Sequence, residues 1–136
     1  MKQGKWISDM ETAVMLVDDD ATNRNLVSEI LDLCGYESIQ ASSGAQALTI
    51  LTDQAVDVIL LDIMMPDMDG WEFCRQLKQS INLAHIPIIM LTALVDDESR
   101  QKSFDVGADD FISKPFKMDD LVSRIEKQVK KAGNTN

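Results

Sequence analysis

The sequence predicts an α/β fold in which a single (βα)5 unit forms a doubly wound parallel sheet of five strands. Five short apolar runs recur along the chain, and a segment with helical periodicity follows each of them. No internal repeat, proline-rich linker or low-complexity tract interrupts this alternation. The length of 136 residues suits one domain, and the 45% of hydrophobic residues is typical of a globular core.

The five predicted strands differ in how apolar they are. Residues 13–17, 56–61 and 86–91 are nearly continuous in Val, Ile, Leu and Met, as strands covered on both faces are. Residues 37–41 and 110–113 are more polar. We therefore expect these two strands at the outer positions of the sheet.

The predicted helices carry apolar faces and recognisable ends. Ser43 with Gln46 fits a capping box, Asp69 is placed to cap the third helix, and a polar fourth helix over 97–106 is predicted to end at Gly107. The apolar positions of the other helices are Leu26, Val27, Ile30, Leu31 and Cys34; Ala45, Leu48 and Leu51; Phe73, Leu77 and Ile81; and Leu121, Ile125 and Val129.

Composition and charge limit the classes of function. The net charge of −10 argues against non-specific binding to nucleic acid or to an anionic membrane. The start has no signal-peptide pattern and no apolar run is long enough to span a bilayer, which favours a cytoplasmic protein. Cys34 and Cys74 lie in apolar helical patterns and are expected to be reduced core thiols. We expect a domain over 12–131 with flexible tails at 1–11 and 132–136.

Chemically useful side chains follow four of the five predicted strands. Ligands bind beyond the carboxyl ends of strands in open α/β sheets, so these side chains are expected at one rim. They are Asp18, Asp19 and Asp20, then Asp62, Thr92 and Lys114. Clustered carboxylates repel unless a cation joins them, and oxygen-only ligands favour Mg²⁺ or its mimic Mn²⁺. A carboxylate such as Asp62 can then attack a phosphoryl group and form an aspartyl phosphate.

Each of these features has an ordinary structural explanation when it is taken alone. Consecutive acids are favoured at a helix N-terminus, an Asp can cap a loop, and a Lys before a Pro can be any surface residue. Their occurrence together, at successive strand ends and in this order, favours a phosphoryl-transfer site. Asp20 is interpreted as the start of the first helix and not as a metal ligand.

Four stretches, MLVDDDATNR, VILLDIMMPDMDG, IIMLTA and DFISKPF, resemble the response-regulator receiver domain of two-component signalling. The similarity extends over about residues 13–130. It implies the flavodoxin-like strand order 2-1-3-4-5 and a cis bond before Pro115. The site residues that it implies are the phosphoacceptor Asp62; the Mg²⁺ (or Mn²⁺) ligands Asp18, Asp19, Asp62 and the backbone carbonyl of Met64; the phosphate-pairing Lys114; the switch hydroxyl Thr92; and the aromatic switch Phe111.

The resemblance also implies partners. A histidine kinase or histidine phosphotransfer protein would donate the phosphoryl group, and no separate substrate would be turned over. The phosphoryl group is expected to draw Thr92 inward and to turn Phe111 from an outward to an inward position. The surface of the fourth helix, fifth strand and fifth helix would then change and control a downstream output. The sequence identifies neither the kinase nor the output.

Two other functions are compatible with parts of this pattern. A Mg²⁺-dependent phosphatase of the haloacid dehalogenase type also uses an Asp nucleophile, but it needs a second acid where this sequence has Met64. A receiver that is never phosphorylated is the other alternative, and the complete set of acids, Thr92 and Lys114 argues against it. Trp71, beside the acidic rim, is interpreted as a packing residue, with contact to a partner as the alternative.

Overall fold

The computed structural model describes residues 12–133 and contains five parallel strands that alternate with five helices. In chain order the elements are β1 (Ala13–Val17), α1 (Ala21–Leu33), β2 (Glu37–Ala41), α2 (Gly44–Leu51), β3 (Val58–Leu61), α3 (Gly70–Gln79), β4 (Ile88–Thr92), α4 (Asp97–Asp105), β5 (Asp110–Ser113) and α5 (Met118–Gly133). The strands form one sheet in the order β2-β1-β3-β4-β5. The predicted fold class and strand order are confirmed.

The sheet has helices on both of its faces. Alternate residues of β1 point to opposite faces, so Met15 and Val17 belong to one core cluster while Val14 and Leu16 belong to the other. The first cluster receives buried side chains from α2 and α3, and the second receives them from α1 and α5. Every residue of β1, β3 and β4 is buried, whereas β2 and β5 are partly exposed at the edges, as their polar composition predicts.

The strand register aligns the carboxyl ends of the strands. Val17 pairs with Ala41 on one side and with Leu61 on the other, and Thr92 pairs with Ser113. The backbone N–H of Asp62 donates to Val17 O at 3.0 Å, and that of Lys114 donates to Thr92 O at 2.8 Å. The residues that follow the strands are therefore held at one rim of the sheet by main-chain hydrogen bonds.

The predicted helix caps are present, with one shift in register. Ser43 Oγ accepts a hydrogen bond from Gln46 N, but Gln46 Oε1 accepts from the N–H of Ser42, one residue earlier than in a standard capping box. Asp69 Oδ1 accepts from Glu72 N at 2.9 Å. Gly107 has a φ of +111° just after α4, a left-handed conformation that favours glycine.

Four positions that the periodicity assigned to apolar faces are exposed. Cys34 is exposed and only Cys74 is buried, so the expectation of two core thiols is wrong for Cys34. Leu26 and Ile81 are 53% and 96% exposed, and in α2 the core position is Ala47 and not Ala45. At Cys34 and Ile81 the pattern continued past the ends of the helices, since α1 ends before Cys34 and α3 before Ile81, whereas Leu26 and Ala45 lie within helices on the solvent-facing side.

The predicted tails cannot be compared in full with the structure, because residues 1–11 and 134–136 lie outside the described part. Helix α5 includes residues 132 and 133. The domain boundaries stay predictions. Among residues 12–133, no helix combines the length and the hydropathy that crossing a membrane requires.

Helix α3 begins in direct contact with the backbone that follows β3. The N–H of Gly70 donates to Ile63 O at 2.8 Å, and a Cβ at residue 70 would lie 2.7 Å from Ile63 Cα and would also meet the carbonyl oxygen of Asp62. These are backbone atoms, which cannot rotate out of the way. The absence of a side chain at residue 70 is what allows α3 to start so close to Asp62.

We expect Gly70→Ala to lower the free energy of unfolding by about 1–3 kcal/mol, because the added methyl overpacks rigid backbone. The matched control is Gly44→Ala, where the added Cβ would lie 2.7 Å from Met68 Sδ, the flexible end of a side chain that can move. Urea unfolding of both variants measures the difference. Equal losses in the two variants would contradict the assignment of a backbone clash at Gly70.

Candidate functional site

Three carboxylates meet at the rim of the sheet. Asp18 and Asp19 follow β1 and Asp62 follows β3, and one carboxylate oxygen from each lies within 4.8 Å of the other two. Asp18 is buried, Asp62 is half-buried and Asp19 is exposed. The predicted acidic cluster is therefore assembled, with one side open to solvent.

Local hydrogen bonds separate the roles of the three consecutive acids. Asp18 Oδ1 accepts from the N–H of Asp20 at 2.9 Å, which turns the chain directly after the strand. The Asp20 carboxylate accepts from Thr22 N at 2.9 Å and is the N-cap of α1. The interpretation of Asp20 as a helix start is therefore confirmed, and its carboxylate is not among the three clustered ones.

Lys114 supplies the positive charge of the site. Its Nζ lies 3.3 Å from Asp18 Oδ2 and 3.7 Å from Asp62 Oδ2. All three side chains are at most 19% exposed, so solvent screens these charges less than it screens surface pairs. The peptide bond between Lys114 and Pro115 is cis, as the resemblance implies.

The pKa of the Asp62 carboxyl is raised above its ordinary value. Burial is the largest cause, since it disfavours the charged form, and the neighbouring charge of Asp18 raises the pKa further. The Lys114 ammonium, the Met64 N–H and the Thr92 hydroxyl all oppose this shift. Burial and the second acid together therefore outweigh the three groups that stabilise the ionised carboxylate.

The remaining predicted residues surround this cluster. Thr92 is completely buried, and its Oγ1 accepts from the N–H of Leu94 at 3.2 Å. The N–H of Met64 donates to Asp62 Oδ1 at 3.4 Å, and the role of its carbonyl stays a prediction. Phe111 is only 3% exposed, so the structure holds its ring in the inward position. The rotation of Phe111 stays a prediction.

The donor set of the cluster fits a divalent cation. It contains carboxylate oxygens and no His or Cys, and hard cations such as Mg²⁺ prefer oxygen. Mg²⁺ usually keeps several of its waters, which suits a cluster that is exposed at Asp19. Asp18, Asp19 and Asp62 are the described residues whose carboxylates are close enough together to bind one ion.

Sequence reasoning missed Arg24. Its Nη1 donates to the carbonyl oxygen of Asp18 at 2.7 Å and its Nε donates to Gln40 Oε1 at 3.1 Å. Arg24 thus ties α1 and the edge strand β2 to the turn that carries the acidic pair. The sequence feature that could have indicated this role is the position of Arg24, one helical turn after the cap Asp20 and close to the strand ends.

Known proteins resemble the chain over most of its length. A family model of the response regulator receiver domain matches residues 14–126. The phosphate regulon transcriptional regulatory protein PhoB of Pseudomonas aeruginosa is 38% identical over 120 residues, which cover 88% of this chain and 52% of that protein. The chain spans about half the length of the curated relatives it matches.

Solved structures resemble the chain in fold as well as in sequence. The receiver domain of a signal transduction histidine kinase from Syntrophus aciditrophicus is 35% identical with a TM-score of 0.82, covering 88% of this chain and 91% of that one. The BeF3-activated receiver domain DrrB is 35% identical with a TM-score of 0.78, covering 88% and 98%.

The raised pKa of Asp62 leads to a prediction about stability. The folded protein holds a proton on Asp62 at pH values where the unfolded chain has lost it, so this residue's contribution to stability falls as pH rises from the ordinary aspartate value through the raised one. We therefore expect Asp62→Asn to be more stable than the wild type at neutral pH without divalent metal. The difference should shrink as the pH is lowered.

Thermal unfolding across this pH range, with a chelator present, measures the effect. The matched control is Asp67→Asn, an exposed residue of the same loop with a φ of 68°, a conformation that Asn also adopts readily. Its stability should stay within about 0.5 kcal/mol of the wild type. An Asp62→Asn protein that is no more stable than the wild type at neutral pH would refute the prediction.

Proposed function

We propose a function for this chain from one premise: it belongs to the response regulator receiver domain family. It is a receiver domain with an acidic pocket and a facing lysine, an arrangement suited to signalling by aspartate phosphorylation in two-component systems. The family implies a histidine kinase partner and no turnover of a separate substrate. The predicted family, and the prediction that the chain is not a substrate-turnover enzyme, are confirmed.

The phosphoacceptor that we propose is Asp62. The observation that carries this proposal is that its half-buried carboxylate lies 3.7 Å from the Lys114 ammonium and within metal-binding distance of Asp18 and Asp19. A carboxylate oxygen of Asp62 would attack the phosphorus of a phosphohistidine. The P–N bond breaks, its electron pair returns to the imidazole, and an aspartyl phosphate forms.

The neighbouring side chains would stabilise the charge of the transferred group. The Lys114 ammonium can pair with one phosphoryl oxygen, and the Thr92 hydroxyl can donate to another. We propose Mg²⁺, with Mn²⁺ as a substitute, as the ion held by Asp18, Asp19, Asp62 and the carbonyl of Met64. When bound, the ion would neutralise phosphoryl oxygens and orient the donor.

The partners of the domain follow from the same proposal. The donor would be a histidine kinase or a histidine phosphotransfer protein, and a cytoplasmic location would give the domain access to it. The surface of α4, β5 and α5 would change on phosphorylation and control an output domain or protein. The relative from Pseudomonas aeruginosa is named as a transcriptional regulator, which supports an output of this kind. The net charge of −10 argues against nucleic acid as a ligand of the receiver itself.

Phosphorylation of Asp62 can be tested with acetyl phosphate and Mg²⁺. The intact mass of the wild type should increase by one phosphoryl group, and Asp62→Asn should show no such increase because its amide is not a nucleophile. The control Asp67→Asn, which removes a carboxylate outside the cluster, should be modified like the wild type. A phosphoryl mass that persists in Asp62→Asn would assign the acceptor to another residue.

The metal ligands can be tested by calorimetric titration with Mg²⁺. We expect Asp19→Asn to weaken binding at least about tenfold, since even outer-shell changes at metal sites cost about 10–100-fold in affinity. Asp20→Asn is the matched control, because it removes an adjacent charge while Asn still caps α1. If Asp19→Asn and the wild type bind Mg²⁺ equally well, Asp19 is not a direct ligand.

A further inference from the structure

Trp71 is placed next to both loops that carry the phosphoryl-transfer residues. It is the second residue of α3, directly after Gly70, whose N–H is bonded to Ile63 O. Its side chain lines one open pocket together with Met64, from the loop after Asp62, and Leu94, from the loop after Thr92. A shift of either loop therefore changes the surroundings of the indole ring.

The other side of the indole is bound to helix α4. Trp71 Nε1 donates to Ser103 Oγ at 3.0 Å, and Ser103 Oγ donates in turn to the carbonyl of Ser99 at 2.8 Å within α4. The Lys102 ammonium lies 4.2 Å from the centroid of the indole ring, within the range of a cation–π contact. Helix α4 thus contacts both the polar edge and the face of Trp71.

Helix α4 buries no apolar side chain, which makes this hydrogen bond important for the position of the helix. The buried residues of the helix are Ser99 and Ser103, both polar, and Phe104 is 39% exposed. A helix without a buried apolar stripe gains little from hydrophobic packing. Its position therefore depends strongly on specific polar contacts, and such elements are the ones that move at low cost.

We infer that Trp71 is a positioning residue. Through its hydrogen bond to Ser103 it couples the presence of a phosphoryl group on Asp62 to the position of α4. This inference rests on the proposed function. When the Thr92 hydroxyl moves to donate to a phosphoryl oxygen, its oxygen carries with it the N–H of Leu94 that it accepts from, and the loop beside the indole moves. Ser103 follows Trp71, because separation would leave a half-buried indole N–H without its partner.

Two contacts of Trp71 fit a residue that couples two elements. The Lys102 ammonium lies over the indole ring, and the hydroxyl of Ser103 that accepts from its N–H is completely buried. Another part of the side chain lines the open pocket beside Met64 and Leu94, so the alternative of a contact with a partner stays a prediction.

Hydrogen exchange of the α4 amides, with and without Mg²⁺ and beryllofluoride, tests the coupling. Trp71→Phe keeps an aromatic ring and removes only the N–H donor. In the free protein it should lower the protection of α4 by about three- to tenfold, as expected for one net hydrogen bond. On addition of beryllofluoride, the change in α4 protection should fall to less than half of the wild-type change, while Asp62 stays occupied.

Three further variants separate coupling from a general loss of stability. Ser103→Ala should reproduce the effect of Trp71→Phe, and the double variant should add nothing, since both changes remove the same bond. Lys102→Gln removes the cation and keeps the hydrogen bond, so its response should be that of the wild type. Ser28→Ala removes another buried serine hydroxyl, which lies on α1 and is hydrogen-bonded to Ser38 Oγ at 2.6 Å. This variant should leave the α4 response unchanged.

Each outcome distinguishes the inference from the proposed function. A full α4 response in Trp71→Phe with Asp62 occupied would overturn the coupling. A wild type that binds beryllofluoride without any change in α4 would also overturn it, although Asp62 would remain the phosphoacceptor. A wild type in which Asp62 binds no beryllofluoride would overturn the proposed function and the coupling together. If Trp71→Phe does not fold, Ser103→Ala carries the test by the same criteria.

Discussion

The position of the Lys114 ammonium between Asp18 and Asp62 is the interaction on which the site depends. The three groups come from the ends of β5, β1 and β3, and the lysine is 3.3 Å and 3.7 Å from the two carboxylates. The carboxylates of Asp18 and Asp62 are partly buried and close to each other, so they repel. A cation between them offsets that repulsion. The offset is incomplete, because the pKa of Asp62 is still raised. The remaining negative charge, increased by Asp19, is what a divalent ion would neutralise.

The sheet makes this charge arrangement possible. Lys114 and Asp18 are 96 residues apart in the chain, and parallel pairing in register brings the ends of their strands to the same rim. Gly70 adds a second constraint, since a side chain there would displace α3 from the backbone of Asp62 and Ile63. The site is therefore placed by buried strands and by a helix that packs directly against the backbone of Asp62 and Ile63.

The elements around the site differ in how firmly they are held. β1, β3 and β4 are completely buried, whereas α4 buries only two serines. Its side-chain contacts include the hydrogen bond from Trp71 to Ser103, and Arg100, whose guanidinium lies 5.4 Å from the Phe111 ring centroid. Converting a two-state element from 1:99 to 99:1 takes about 5.5 kcal/mol of differential stabilisation. One hydrogen bond from Thr92 to a charged group supplies only about 1.5–3 kcal/mol. A switch that moves α4 would therefore also need stabilisation from Lys114 and the metal. The differential stabilisation required is smaller for a helix that buries no apolar side chain.

Local signals in the sequence determined the elements and the composition of the site. Apolar runs identified all five strands, Asp20, Ser43 and Asp69 marked helix starts, and the order of strand ends placed Asp18, Asp62, Thr92 and Lys114 at one rim. These features depend on neighbouring residues and on one general rule about parallel sheets, so they can be derived without coordinates.

The tertiary structure alone decided which helix residues face the core and which distant side chains meet. Periodicity does not report where a helix ends relative to the surface that covers it, which is why Cys34 and Ile81 are exposed. The bonds from Arg24 to Gln40 and from Trp71 to Ser103 join residues that are 16 and 32 positions apart. Such bonds depend on how two elements pack together to within a fraction of an ångström, and no local pattern encodes that distance.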